Sequence, residues 1–254
     1  MGYYDLTKEE RVQFYNSMKD EILIDITENN LHYIPMYASN SDTYIRKNTY
    51  LILGRLYDTN PSFQNRIIQI LRELMKSENE KVRQTAVNGL GEIGKKDAGM
   101  VLECFETALF DQHHSVRNAV IGSLKKMGQV NSKPILSFAK MHLHHPEAEI
   151  RREVIHGIEL RGRTHPEEVL PLLEEVQFEK VKRVRNMVIH VLGQISYKKG
   201  CLEKVVSALL KWENKELVNE ALVEILDVHV RYQDFSDKTY QKAKEYIDSH
   251  FNLY

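Results

Sequence analysis

The sequence predicts an all-α fold in which about six helix pairs stack in a superhelix between terminal capping helices. An aliphatic residue opens each copy of a repeat and, in the first five copies, precedes an arginine. These anchors are spaced 37, 34, 34, 34 and 33 residues apart, the length of one helix pair with its turns. They are Ile45, Val82, Val116, Ile150, Val184 and Leu217. No stretch alternates apolar and polar residues as a half-buried strand does.

Residues 1–40 are predicted to form the N-terminal capping helices, and Thr7-x-x-Glu10 has the spacing of a capping box. Residues 41–230 hold the repeats, and residues 231–254 hold the C-terminal capping helix, all in a single solenoid domain. Each first helix spans about 12–14 residues after its anchor. An aliphatic column stands eight residues after the anchors and predicts a shared core: Leu53, Leu90, Leu124, Ile158, Leu192 and Ile225.

Glycines twelve residues after three anchors, Gly94, Gly128 and Gly162, indicate helix ends that need a positive φ. A second helix follows each of five first helices. We predict these second helices at about Pro61–Lys76, Ala98–Phe110, Lys133–His142, Pro166–Val176 and Cys201–Trp212.

The composition is that of a globular protein without a global charge bias. Thirty-five basic against 36 acidic residues give a net charge of −1, so only local patterning can indicate a nucleic-acid partner. Two cysteines in apolar helical patterns favour a reducing compartment over a disulfide framework. The N-terminal residues are charged where a signal peptide is apolar, and no apolar run reaches the roughly 18 residues of a membrane span. We therefore expect a cytoplasmic protein without a membrane partner.

The segments "VRQTAVNGLGEIG" and "VRNMVIHVLGQIS" resemble the HEAT repeat, in the variety found in bilin-lyase-type and designed repeat proteins. The resemblance covers roughly residues 41–230 and implies a right-handed α-α superhelix of the HEAT/armadillo type. The pattern departs from the family at its glycine position, where Lys125 and Glu159 stand, and at Arg161, where the family has an aliphatic residue. A more distant resemblance is to the HEAT-like alkylation-repair DNA glycosylases.

A polar stripe lies two, six and ten residues after each anchor, because four residues is just over one helical turn. The resemblance implies that these first helices line a concave surface. Side chains of this kind can bind a peptide or a nucleic-acid backbone, although polar residues often just solvate an exposed helix. The predicted groove residues are Asn88, Asn118, Arg152, His156, Asn186, His190 and Gln194.

Basic residues recur where the first helices end and form a possible phosphate-binding rim: Lys95, Lys96, Lys125, Lys126, Arg161, Arg163, Lys182, Arg183, Lys198 and Lys199. The helix dipole favours such residues at these positions in any case. Histidines in two turns one period apart could bind a metal ion, although histidines in such turns are more often solvated. They are His113, His114, His142, His144 and His145.

No phosphate loop, metalloprotease motif or nucleophile elbow occurs, so we expect no enzyme, no cofactor and no metal, although the fold is compatible with a glycosylase-like or lyase-like activity. The concave aromatic and acidic residues of the DNA glycosylases have no match here. We predict a scaffold that binds a protein or peptide partner in the groove. The alternative is nucleic-acid binding through the basic rim, and a third hypothesis is a bilin-lyase-type chaperone.

Overall fold

The computed structural model describes residues 2–251, which are helical and contain no strand. Met1 and the last three residues of the predicted segment 231–254 lie outside this range. The α-helices in chain order are α1 (Lys8–Thr27), α2 (Tyr33–Ala38), α3 (Thr43–Thr59), α4 (Gln64–Leu74), α5 (Glu80–Gly94), α6 (Leu102–Leu109), α7 (His114–Val130), α8 (Ser132–His142), α9 (Ala148–Gly157), α10 (Glu159–Gly162), α11 (Pro166–Glu174), α12 (Lys182–Gln194), α13 (Cys201–Leu209), α14 (Lys215–Arg231) and α15 (Tyr240–Phe251).

The chain divides into two compact units, Met1–Ser123 and Leu124–Tyr254, with the boundary inside α7. In the N-terminal unit α1 and α2 pack against α3, and α3 packs against α5. In the C-terminal unit α12 packs against both α9 and α14, while α11 packs against α13 and α15 contacts α13 and α14. First helices therefore stack on first helices within each unit, as the solenoid prediction requires.

The predicted helix signals are present in the structure. The Thr7 hydroxyl accepts from the Glu10 amide at 3.2 Å, and the Glu10 carboxylate accepts from the Thr7 amide at 2.8 Å, which is the predicted capping box. Each predicted second helix is found, two of them with a 3₁₀ turn (Pro61–Phe63 and Ala98–Met100) before the α-helix. The aliphatic column is buried throughout, each member being at most 1% exposed.

The prediction that glycine ends the helices through a positive φ was wrong. Among the described glycines the one with positive φ is Gly200, at 71°, before α13. Gly162 instead permits a close contact, because a Cβ there would lie 2.6 Å from Ile195 Cγ2. Gly128 does not end its helix, since α7 continues to Val130. Gly94 and Gly162 do end α5 and α10, but without a positive φ, and the close contact of Gly162 explains that glycine by helix packing.

Four of the five anchor arginines tie their first helix to the turn before it, whereas Arg185 pairs with Glu216 and Glu220. In α3, α5, α7 and α9 the Nη1 atom donates to the carbonyls six and five residues earlier, at 2.6–3.2 Å. Arg83 also forms a bidentate pair with Asp111, and Arg151 forms one with Glu179, with Nε–O distances of 2.7 Å. This column is structural, since its donors are used within the repeats.

Candidate functional site

The centre of the candidate site is a pair of charges at the position where the repeat pattern has glycine. In α12 this position is Gly193, and a Cβ there would lie 2.6 Å from Glu224 Cγ on the neighbouring first helix. Two successive repeats carry Lys125 and Glu159 instead, and the Lys125 Nζ lies 2.9 Å from Glu159 Oε2. The two departures from the pattern therefore compensate one another across adjacent repeats.

Glu159 is surrounded by four basic side chains, and only 2% of its own side chain is exposed. Its Oε1 accepts from Arg163 Nη2 at 2.5 Å, and its Oε2 lies 3.2 Å from His156 Nε2 and 3.6 Å from His190 Nε2. Glu159 begins α10, just after a break in the helix at Ile158, and Arg163 follows the end of α10. The short α10 thus places the carboxylate and one of its partners on a single turn.

The cluster extends along α12 to α14. Arg163 Nη2 also donates to Gln194 Oε1 at 2.6 Å, and the buried Gln194 closes this side of the network. His190 Nδ1 lies 3.9 Å from Glu224 Oε1, which lies 3.7 Å from Arg231 Nη2. Four successive repeats, from Lys125 to Glu224, therefore share one polar network.

Burial would raise the pKa of Glu159, but contacts with His156 and His190 and the charge of Lys125 outweigh it and hold that pKa well below its ordinary value. Burial lowers the pKa of Lys125, against the opposing effect of Glu159, and the nearby Arg163 lowers it further. Glu159 therefore stays ionised at neutral pH, where it is too weak a base to serve as a general base and carries no proton to donate.

His156 Nε2, Glu159 Oε2 and a His190 ring nitrogen lie within 4.8 Å of one another, a spacing that a metal ion could use. The ammonium of Lys125 is already 2.6 Å from the first atom and 2.9 Å from the second. A metal would have to displace Lys125 from both ligands, so the residues fit an ammonium better than a metal.

The network carries a fixed excess of positive charge. Lys125 and Arg163 supply two positive charges against one negative charge on Glu159, whereas Glu224 and Arg231 balance one another. His190 is 37% exposed and His156 is 26% exposed, so His190 is the more accessible of the two histidines. The arrangement presents imidazole edges, held by buried ions, to an anionic or hydrogen-bonding ligand.

The predicted groove residues fall in both units. In the C-terminal unit His156 and His190 come together with ring centroids 5.9 Å apart, Arg152 pairs with Glu149 at 2.5 Å, and Asn186 is exposed. In the N-terminal unit Asn118 is exposed, and Asn88 is half-buried, its amide donating to the Gln84 carbonyl at 3.0 Å. Lys125 and Glu159 are the residues that were not assigned to the groove. The signal was two opposite charges, one period apart, at the glycine position.

Comparison with known proteins agrees with this architecture. Residues 34–103 and 67–140 match the family model for HEAT repeats. Residues 34–140 of the chain are therefore similar to HEAT repeats. No curated protein matches it in sequence.

The structure resembles AlkD2 from Streptococcus mutans, with a TM-score of 0.54 and 16% identity over 89% of this chain and 99% of that one. It also resembles smu.31 from Streptococcus mutans UA159, with a TM-score of 0.53 and 18% identity over 74% of this chain and 97% of that one. Kap121p has a TM-score of 0.50 and 15% identity over 98% of this chain and 31% of that one. At identities this low, the structural similarity shows a shared fold alone.

Most of the predicted rim residues contact local partners. Lys96 pairs with Asp58 at 3.0 Å, and Arg183 lies 3.7 Å from Glu149. Other carboxylates pair with Lys95, Lys125, Arg161 and Arg163. The Lys198 Nζ lies over the Tyr197 ring. The exposed members are Lys96, Lys126, Lys182, Arg183 and Lys199. Ion pairing reduces the field that this rim presents to a phosphate backbone.

The histidines of the two turns take part in local structure. His113 stacks on His114 with ring centroids 4.7 Å apart. His142 is buried with Nδ1 2.9 Å from the Phe138 carbonyl. His144 lies 3.6 Å from the carboxylate of Glu175, and His145 Nδ1 accepts from the Glu147 amide at 3.0 Å. Across the described residues, none of the helices is both long and apolar enough to span a bilayer.

Proposed function

We propose that this protein is a non-enzymatic scaffold, and that it binds an extended, acidic segment of a protein partner along the first helices of its C-terminal unit. The observation that carries this proposal is the network centred on Glu159, which holds His156 and His190 side by side on adjacent repeats. Such a network costs desolvation energy that apolar packing would not, and a ligand-binding role explains its presence.

The stripe offers both polar and apolar contacts to a chain lying across α9, α12 and α14. Arg152 and His156 lie on α9, Asn186 and His190 on α12, and Val223 on α14 is 62% exposed. Because neighbouring first helices pack about 8–10 Å apart, an extended peptide would meet a new repeat every three residues or so.

The charge of the site supports an acidic partner. The excess positive charge of Lys125 and Arg163 over Glu159 attracts a carboxylate, and protonation of either histidine would strengthen this attraction. A carboxylate near His190 would gain a hydrogen bond without requiring the buried pair to rearrange.

The alternative function is nucleic-acid binding through the basic rim. The rim residues fall at equivalent turns of successive repeats, and this supports it. The ion pairs of Lys96, Arg161 and Arg163 weaken it. Phosphate binding falls steeply with salt, so a variant with Lys126, Lys198 and Lys199 changed to alanine would lose both affinity and salt dependence for a DNA duplex. That variant leaves Lys125 in the network.

Affinity capture from native lysate with and without nuclease tests the main proposal. Arg152→Glu reverses the charge at the edge of the groove, and Asn186→Trp places bulk on its exposed centre. Each variant should lose at least about tenfold in retained partner, the size of a binding hot spot. Nuclease should have no effect on the wild-type complex.

Glu174→Trp is the matched control, because Glu174 is exposed on α11, a second helix outside the stripe. It should retain the partner as the wild type does. Retention by both groove variants, or release of the wild-type partner by nuclease, would contradict the proposal.

A further inference from the structure

Two adjoining cavities lie in the N-terminal unit, between α1 and α3, and Arg55, ten residues after the first anchor, lines both. Their volumes are about 380 Å³ and about 350 Å³. They share Tyr15 and Arg55, and the Arg55 Nη1 donates to the Tyr15 hydroxyl at 2.6 Å. This pair therefore stands between two spaces that are each of the size of a small-molecule site.

The two cavities are lined by four cations and by no carboxylate. Lys8 and Arg11 line the first cavity, Lys19 lines the second, and Arg55 lines both. In a chain with a net charge of −1, where most rim cations are paired, none of these four forms an ion pair within the described residues. An anion can therefore reach these cations without displacing an ion pair.

Tyrosine rings support the arginines in place of carboxylates. The Arg11 guanidinium lies 5.0 Å from the centroid of the Tyr4 ring, and that of Arg55 lies 5.7 Å from the Tyr15 centroid. A cation–π contact orients an arginine while leaving its full charge available to an anion. Tyr4 is 58% exposed although the Tyr44 ring packs against it with centroids 4.2 Å apart, so part of the Tyr4 ring is accessible to a planar ligand.

The nearby carboxylates are occupied by backbone amides. The amide of Tyr3 donates to Asp42 at 2.6 Å and that of Tyr44 donates at 2.7 Å, so Asp42 anchors the N-terminal segment on α3. Glu10 accepts from the Thr7 amide in the capping box at 2.8 Å. These bonds hold the N-terminal segment on α3, and none of them joins one of these carboxylates to the four cations.

We propose that these cavities bind nucleotides, with a base against the accessible part of the Tyr4 ring and phosphates on Arg11 and Arg55. Aromatic platforms combined with unpaired cations are the features with which proteins hold single-stranded nucleic acid. Two cavities separated by Arg55 suit two successive nucleotides with the joining phosphate on that arginine. This site is independent of the proposed groove and of the basic rim.

Fluorescence anisotropy with labelled oligodeoxythymidylate tests the proposal on the full chain. Arg11→Gln/Arg55→Gln should weaken binding at least tenfold. It should also reduce the slope of log affinity against log salt by about 1.4, from roughly 0.7 per phosphate contact. Lys198→Gln/Lys199→Gln removes the same charge from the rim and should leave binding unchanged. Equal loss in the two variants, or no loss in the first, would overturn the proposal.

Tyr4→Ala separates base stacking from charge, and its exposure makes a folding defect unimportant. It should weaken the oligonucleotide roughly tenfold, as expected for one stacked base, and weaken inorganic tripolyphosphate by a smaller factor, because Tyr4 also supports Arg11. Equal loss of the two ligands, or loss of neither, would refute base recognition. Competition by a mononucleotide as effective as the oligonucleotide identifies the free nucleotide as the source, and weaker competition identifies the strand.

Discussion

Glu159→Gln should be the most destabilising conservative change in the C-terminal unit, because it removes the negative charge that Lys125 and Arg163 share. Glu159 is 2% exposed, and the side chains of its partners are 17% and 25% exposed. Removing one partner of a buried pair costs about 3–5 kcal/mol. Because both cations are partly hydrated, we expect a loss of unfolding free energy at the lower end of this range, about 3 kcal/mol. This corresponds to a fall of about 6–12 °C in Tm.

Urea denaturation followed by the fluorescence of Trp212 measures the free energy of unfolding. Trp212 is the single tryptophan, is 1% exposed and lies in the same unit as Glu159. Glu175→Gln is the control, because Glu175 pairs with Lys140 at the surface and should change stability by less than about 1 kcal/mol. Adding Lys125→Met to Glu159→Gln should recover part of the loss, since one unpaired cation is removed.

The effect of Glu159→Gln should also depend on pH. The lowered pKa of Glu159 means that its stabilisation is fully present above the unfolded carboxyl pKa, about 4.3, and is lost as pH falls below that value. The gap between wild type and variant should therefore narrow in acid. A variant within about 1 kcal/mol of the wild type at pH 7, or a gap that is constant down to pH 3, would refute the network as described.

Three further predictions concern packing, the anchors and a buried histidine. Gly91→Ala should cost about 1–3 kcal/mol, because its Cβ would lie 2.2 Å from Ser123 Oγ, whereas Gly122→Ala, with nothing within 4 Å, should stabilise by about 0.5–1 kcal/mol. Arg83→Lys should cost about 2 kcal/mol, since a lysine cannot reproduce the buried bidentate pair. Burial lowers the pKa of His229, so its stabilisation is present above pH 6.5 and lost as pH falls, and His229→Gln should flatten this part of the stability profile.

Chemical denaturation monitored by circular dichroism measures all three, and each has an internal comparison. The changes in unfolding free energy of Gly91→Ala and Gly122→Ala should have opposite signs, and equal changes would contradict the packing argument. Arg46→Lys should cost less than Arg83→Lys, because Arg46 bonds to carbonyls and a hydroxyl without a carboxylate. A pH profile of His229→Gln that parallels the wild type between pH 5 and 7 would show that His229 does not titrate on unfolding.

Much of the fold was predictable because each repeat buries the same positions of its helices against the neighbouring repeats. The aliphatic column from Leu53 to Ile225 is a periodic signal, and periodic burial follows from it directly. The capping box at Thr7 was predictable because it depends only on two residues three positions apart. The glycines were misread, because sequence cannot distinguish a glycine required by backbone conformation from one required by a neighbouring helix.

The site was predictable only in part. The helical spacing identified His156 and His190 as neighbours, because residues six past each anchor recur on one face. Lys125 and Glu159 were recognised as departures and not as a pair, since their contact depends on how two repeats pack. The tyrosine-lined cavities were missed altogether, because Tyr15, outside the repeats, meets Arg55 only when α1 packs on α3.

Site-specific photo-crosslinking tests the central claim most directly. A photoreactive amino acid at Asn186, which is exposed at the centre of the stripe, is compared with the same residue at Glu174 on α11. A protein bound along the first helices predicts a discrete, protease-sensitive and nuclease-resistant adduct at Asn186 and none at Glu174. Equal labelling at the two positions, or an adduct at Asn186 that nuclease removes, would contradict it.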